Sequence, residues 1–245
     1  MLPKVIHYCW FGGKPLPKSA IKCIESWRKY LPDYEIKRWD EGNFDVNIIP
    51  YTREAYRAGK FAFVSDFARF WIIYNYGGVY FDTDVEVIKP MADILERGEF
   101  LGVEYKGEDK ITVNPGLGFG ATAGLVALKE LMNQYVTRHF INEQGEMCLK
   151  NIVEITTDYL KKNGLQNSSF IQNCSGFTVY PVDYFCPISF ETRELHITEN
   201  TRTIHHFAES WIPKSTRFKN ALGRILGQKF LQSLVSIKKV LRPNR

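Results

Sequence analysis

Apolar and polar positions change period repeatedly along this chain, and each change marks an element. Residues 4–11, KVIHYCWF, form a short apolar and aromatic run closed by Gly12-Gly13. Such a run, bounded by glycine, predicts a buried strand. In 17–31, Ile21, Ile24, Trp27 and Leu31 recur at helical spacing. Residues 34–40, YEIKRWD, alternate as a second strand does. Strand, helix, strand is the opening of a parallel α/β sheet, which binds ligands beyond the carboxyl ends of its strands. Residues 54–76 read as one long helix, stopped by Gly77-Gly78. Its segment FAFVSDFARFWIIYNYGG (61–78) is apolar almost all round and belongs in the interior. VYF (79–81) is a core strand, and VEVI (85–88) is extended again before Pro90. Further along, 99–107 reads as strand, 112–122 as strand and loop, 125–140 and 144–162 as helices, and 177–187 as extended; 201–211 closes the body. Repeats and low-complexity linkers are absent. The expectation is one α/β domain over 1–212 and a tail over 213–245.

Charge sharpens that division. The chain carries 32 Lys and Arg against 27 Asp and Glu, yet nine of the basic residues and none of the acidic ones lie in 214–245. The body is mildly acidic and the tail strongly basic. Phe218, Leu222, Ile225, Leu226, Phe230, Leu234, Ile237 and Leu241 recur at helical spacing within it. A basic amphipathic helix suits an anionic membrane surface, or packs on the body with a frayed end. It comes with no nucleic-acid-binding module. The five cysteines are scattered and include no C-x-x-C. That describes reduced thiols in a cytoplasmic setting, neither a disulfide frame nor a zinc site. The opening MLPKVIHYCWFGG has too short an apolar run for a secretory signal, and with no run of about 18 or more apolar residues no spanning helix is expected.

Candidate chemistry concentrates at YNYGGVYFDTDVEV (74–87), where a buried strand ends in two aspartates. On an extended chain Asp82 and Asp84 would share a face, about 6.6 Å apart. Unpaired, they repel, and burying them is costly. A divalent cation removes that cost, and oxygen ligands suit Mg²⁺ or Mn²⁺, which leave positions for substrate phosphates. One turn apart on the preceding helix, Asp66 and Arg69 interrupt its apolar surface. They read either as a buried ion pair holding the helix, a poor stabiliser on balance, or as part of a site that grips sugar hydroxyls or phosphate, which would explain both groups.

Three segments, VIHYCWFGG, VSDFARFWIIYNYGGVYFDTDVEV and IHHFAESW, in that order, resemble the D-x-D sugar-transferase family of glycosyltransferases. This is family 32, the group of yeast initiating mannosyltransferases and bacterial capsule and lipopolysaccharide enzymes, with the glucosylating clostridial toxins as more distant kin. The resemblance runs over about residues 3–211. It implies a GT-A-type, Rossmann-like fold with a mostly parallel central sheet, and retaining transfer of a hexose from a nucleotide diphosphate sugar with Mn²⁺ or Mg²⁺. By the same resemblance, Trp10 would stack on the nucleobase with Gly12 beside it. Asp66 and Arg69 would hold the donor sugar, and Tyr80 would lie near the diphosphate. Asp82 and Asp84 would serve ribose and metal, and Ser210 and Trp211 would close over the donor. His205 or His206 would be a late metal ligand; if the segment is extended, only one of the two can face the site. Asn114, Gly116 and Gly118 offer a close approach for an acceptor, although Pro115 departs from the family pattern there. A UDP-hexose is favoured over a GDP-hexose as donor. The expected acceptor is a glycan or lipid-linked saccharide at the inner face of a bacterial membrane. Rival readings are a nucleotide-sugar hydrolase or phosphodiesterase, and a non-catalytic nucleotide-binding subunit.

Overall fold

The computed structural model describes residues 1–105, 110–189, 192 and 194–208. The chain opens with β1 (Val5–Cys9), α1 (Lys18–Tyr30), β2 (Glu35–Trp39), α2 (Pro50–Arg57), α3 (Phe61–Tyr76), β3 (Gly78–Tyr80) and β4 (Val85–Val87). It continues with α4 (Ala92–Leu95), β5 (Phe100–Tyr105), β6 (Ile111–Val113), a 3₁₀ turn (Pro115–Leu117), β7 (Phe119–Ala121), α5 (Val126–Val136) and α6 (Ile152–Lys162). Then come β8 (Gln172–Cys174), β9 (Phe177–Tyr180), α7 (Val182–Phe185) and β10 (Thr203–His205). Among the described residues the main sheet has the order β2-β1-β3-β7-β5-β9-β8, with β6 on β5, and β10 pairs β4 separately. Strands β1, β2, β3, β5 and β9 run one way, and β6, β7 and β8 run against them. The sheet is therefore mostly parallel in direction, but β7 enters between β3 and β5 antiparallel to both.

Side chains alternate across this sheet and build two apolar layers. Val79 and Phe81 join the cluster with Trp27 of α1, Ile94 of α4 and Phe185 of α7. Tyr80, between them, joins the cluster with Phe67 and Phe70 of α3, Leu131 of α5 and Leu160 of α6. Burying such side chains contributes roughly 1.5–3 kcal/mol each. The nearly all-apolar α3 is buried along most of its length, as its composition requires.

Four sequence expectations change in detail. The helix expected over 54–76 is two helices. Lys60 N–H bonds Ala55 O and Gly59 N–H bonds Tyr56 O, with Gly59 at φ +67: a Schellman stop that ends α2 before α3 begins. The helix expected from 144 begins only at Ile152, because Asn151 and Glu154 form a reciprocal capping box. The extended stretch over 177–187 ends at Tyr180 and turns into the short α7 after Pro181. On α1, Ala20, Cys23, Ile24 and Trp27 face the core while Ile21 is exposed.

The Gly77-Gly78 pair has a backbone reason. Both residues have positive φ, +65 and +103, which glycine adopts without steric cost. A Cβ on Gly78 would lie 2.6 Å from Val5 O. The carbonyl of Gly77 accepts the Nε2–H of buried His7 at 3.0 Å, and His7 Nδ1 accepts the indole N–H of Trp39 at 3.0 Å. Both ring nitrogens are thus committed to a neutral imidazole, and burial lowers the His7 pKa to about 4. An unfolded histidine takes up its proton near 6.5, so protonation favours unfolding as pH falls from 6.5 through 4. The stability at stake is on the order of 3 kcal/mol. Asp66, raised by burial to about 6, acts oppositely over an overlapping range. We expect urea midpoints of wild type and His7→Gln to converge as pH falls from 7 to 4.5, because only wild type loses the His7 contribution. A constant gap would mean that His7 titrates normally in the fold.

Candidate active site

The carboxyl end of β3 carries the first group of the site. Phe81 N–H still bonds His7 O at 3.1 Å, but Asp82 N–H bonds Gly116 O at 3.3 Å, and Asp82 O accepts Val85 N–H at 3.0 Å. Asp82 to Val85 is therefore a tight turn and not the extended segment expected from the sequence. The two carboxylates are brought together by chain reversal. Strand β10 pairs β4 with His205 opposite Val85, so a residue about 120 positions away arrives beside the turn. His205 Nε2 lies 3.2 Å from Asp84 Oδ1. One ligand atom each from Asp82, Asp84 and His205 lie within 4.8 Å of one another.

His206 does not join them. Its ring pairs with Glu86 Oε2 at 2.8 Å on a more exposed surface, while His205 is buried. The reason is the alternation anticipated from the sequence: consecutive side chains leave an extended segment on opposite faces. Of the two histidines named as metal ligands, the structure brings His205 to the aspartates and turns His206 to Glu86.

Behind the turn, Arg69 is a hub. Its Nε–H donates to Ser65 O at 3.1 Å, Nη1 to Asp82 Oδ2 at 3.2 Å and Nη2 to Asp66 Oδ1 at 3.2 Å. The guanidinium sits 4.8 Å from the centre of the Tyr80 ring, a cation–π distance. Tyr80 O–H donates to Asp82 Oδ1 at 3.1 Å. Asp66 Oδ2 accepts Ile152 N–H at 3.2 Å from the start of α6. Four of the residues predicted for the site, Asp66, Arg69, Tyr80 and Asp82, thus form one connected network.

Electrostatics follow from this packing. Burial pushes Asp66 up to about 6, against the pull of Arg69 and with a further push from Asp82. Burial alone would lower Arg69, but Asp82, Tyr80 and Asp66 outweigh it and its pKa is raised. Burial would also lower His205; Asp84, then Glu104 and Asp82, reverse the sign and bring it to about 9. Its Nδ1 is buried without a hydrogen-bond partner. Two carboxylates and one imidazole, clustered and partly buried, fit a small divalent cation of the Mg²⁺ or Mn²⁺ kind.

The other predicted residues are placed as follows. Trp10 is half-buried at the carboxyl end of β1, its indole N–H donating to Lys14 O at 2.6 Å. Gly12, at φ +91, donates its N–H to Glu41 Oε1 at 2.5 Å. Gly116 packs so tightly on the network that a Cβ there would overlap Asp82 Oδ2 and lie 3.2 Å from Arg69 Nη1. Ser210, Trp211 and the tail over 213–245 lie outside the described residues.

Sequence reasoning missed Glu104. It is a buried carboxylate at the carboxyl end of β5 and accepts Asn114 Nδ2–H at 2.5 Å. The available signal was an acid inside an otherwise apolar strand, FLGVEY.

Residues 17–101 match the family described as the glycosyltransferase sugar-binding region containing DXD motif. The chain is 31% identical over 111 residues to inositol phosphoceramide mannosyltransferase 1 of Schizosaccharomyces pombe, covering 41% of this chain and 33% of the yeast protein. It is 26% identical over 202 residues to the uncharacterized glycosyltransferase L373 of Acanthamoeba polyphaga mimivirus, covering 76% and 79%. With the initiation-specific alpha-1,6-mannosyltransferase of Candida albicans it shares 30% identity, covering 45% and 31%. The matches to both fungal proteins span about a third of their length. Among solved structures, PaToxG glycosyltransferase aligns with a TM-score of 0.49 at 17% identity, covering 66% of this chain and 69% of that one.

Proposed function

We propose that this protein transfers a hexose from a nucleotide diphosphate sugar to a glycan or lipid-linked acceptor, with a divalent cation bound by Asp82, Asp84 and His205. The observation that carries the reading is the convergence of those three ligand atoms within 4.8 Å, with Asp82 also bonded to Arg69 of the Arg69–Asp66 pair. The relatives named as mannosyltransferases support a hexose as the transferred unit.

In this reading the sugar–phosphate bond breaks, a bond from the anomeric carbon to an acceptor hydroxyl oxygen forms, and the hydroxyl's proton passes to the departing nucleoside diphosphate or to solvent. Asp82, Asp84 and His205 would hold the cation, which when bound would supply Lewis-acid stabilisation of the diphosphate, a contribution of several kcal/mol. Arg69, held by Ser65, Asp66 and Asp82, is a fixed positive charge that needs no reorganisation during reaction. Asp66 gives that arginine its orientation and, ionised above about pH 6, places negative charge near the sugar as positive character develops there. Trp10 offers an aromatic face for the base. The basic tail brings the body to an anionic membrane carrying the acceptor, at the cytoplasmic face of a cell that builds surface polysaccharide.

The test is a thermal-shift panel with Mn²⁺ and UDP, GDP, CMP or dTDP, followed by product analysis with the matching radiolabelled sugar donor. One diphosphate at 100 times its dissociation constant should stabilise the fold by roughly 2.7 kcal/mol, and only with metal. Label should then appear in a saccharide acceptor. Release of free hexose alone would favour the hydrolase reading. No shift with any nucleotide would sink the proposal.

A further inference from the structure

Glu104 is a buried carboxylate to which the transfer reading gives no task. A strand otherwise made of Phe100, Leu101, Gly102, Val103 and Tyr105 holds it at 4% exposure. Placing a carboxylate there is costly without a strong partner. The partner is Asn114, whose Nδ2–H it accepts at 2.5 Å. The other end of that amide is equally committed, since Asn114 Oδ1 accepts Gly116 N–H at 2.7 Å. These partners fix the amide's orientation: an NH₂ faces the carboxylate and an oxygen faces a backbone donor. Gly116 O then accepts Asp82 N–H at 3.3 Å. The result is a continuous line of hydrogen bonds from Glu104 through Asn114 and Gly116 to Asp82. The backbone adds two ties, Asn114 N–H to Gly102 O at 3.1 Å and Leu117 N–H to Asn114 O at 3.1 Å. The turn leaves no room for a side chain at Gly116: a Cβ there would overlap Asp82 Oδ2 and lie 3.2 Å from Arg69 Nη1.

We propose that Glu104 is a positioning residue for the cation site, acting as a strut that fixes the Asn114–Gly116 turn and through it the placement of Asp82. This rests on the cation-site reading above but does not require that sugar transfer occur. Outer partners of this kind orient the ligands that touch a metal, and losing one typically weakens binding 10- to 100-fold. Glu104 also adds negative charge on the His205 side of the site, so charge and strut must be separated.

Glutamine and alanine separate them. Glu104→Gln keeps an oxygen that accepts from Asn114 but removes the charge; Glu104→Ala removes both. The readout is the Mn²⁺ dissociation constant of the full chain without any sugar donor, with thermal unfolding as the check on folding. Glu104→Gln should weaken Mn²⁺ binding less than tenfold. Glu104→Ala should weaken it at least tenfold further, Asn114→Ala should show a loss of that additional size, and the double alanine variant should be no worse than Glu104→Ala. Equal losses in the Gln and Ala variants would overturn the strut, as would wild-type Mn²⁺ affinity in Asn114→Ala. Should Glu104→Ala not fold, Asn114→Ala against Glu104→Gln decides alone: the proposal needs the asparagine variant to be the weaker binder. Wild type that binds no Mn²⁺ would overturn the strut together with the cation site. Wild type that binds Mn²⁺ but transfers no sugar would sink the transferase reading and leave the strut standing.

Discussion

Asp84→Ala is expected to lose cation-dependent nucleotide binding and at least about 10³-fold in turnover, roughly 4 kcal/mol of transition-state stabilisation. Its fold should remain close to wild type. The contrast with Asp82 explains why. Asp82 accepts from both Arg69 and Tyr80, so Asp82→Ala leaves a buried guanidinium partly uncompensated, a defect of roughly 3–5 kcal/mol. Asp84 instead faces His205 Nε2 at 3.2 Å, and an imidazole, unlike a guanidinium, can shed its proton when its carboxylate is removed, so the loss is about 1–2 kcal/mol. The measurement is a pair of thermal unfolding curves for each variant, with and without Mn²⁺ plus the diphosphate identified for wild type. Asp84→Ala should unfold near the apo wild-type temperature and ignore the ligands. Asp82→Ala should unfold well below it. A normal ligand shift in Asp84→Ala would remove this residue from the cation site and leave Asp82 and His205 too few to define one.

How much of this was legible in the sequence depends on the distance over which each feature is decided. The opening strand, helix and strand are local patterns, and β1, α1 and β2 fall where the periodicity puts them. So does α3, whose apolar surface leaves it only an interior position. The breaks were less legible because each depends on one residue's conformation: Gly59 at positive φ, and Asn151 as a cap, in stretches whose composition is otherwise helical. Asp66, Arg69, Asp82 and Asp84 stood out because charged residues beside apolar runs demand a reason. The sequence did not show how they meet. The Asp82–Val85 turn replaces an extended pair, and the choice of His205 over His206 follows from the β4–β10 register. Glu104 carried a local signal, an acid inside an apolar strand, but its partner was hidden for the same reason: Asn114 lies on the other side of a strand reversal, where only pairing brings the two together. Direction along the sheet was partly legible too. The parallel strands follow from the alternating opening, whereas the antiparallel insertion of β7 has no local signal.

The second large effect is a pH dependence of cation affinity set by His205. In the metal-free fold its pKa stands at about 9, because Asp84, with Glu104 and Asp82 behind it, outweighs the burial that would lower it. The proton and the cation compete for the same imidazole, since a ligating histidine must be neutral. Below pH 9 each unit of acidification should therefore weaken binding about tenfold, so Mn²⁺ affinity at pH 8.5 should exceed that at pH 6.5 by up to about 100-fold. The same group makes the opposite statement about the apo fold. Its folded pKa lies above the unfolded value near 6.5, so the stability it contributes is fully present below 6.5 and is lost as pH rises through 9. Cation-free protein should accordingly become easier to unfold between pH 6.5 and 9, while cation-loaded protein should not. Calorimetric Mn²⁺ titrations under nitrogen at pH 6.5, 7.5 and 8.5 read the first effect, and urea midpoints in chelator read the second. His205→Gln should flatten both profiles and His206→Ala neither, because His206 answers to Glu86 on the other face of the segment. If His206→Ala flattened the affinity profile and His205→Gln did not, the β4–β10 register would have to shift by one residue. The cation site would then have to be rebuilt around the other histidine.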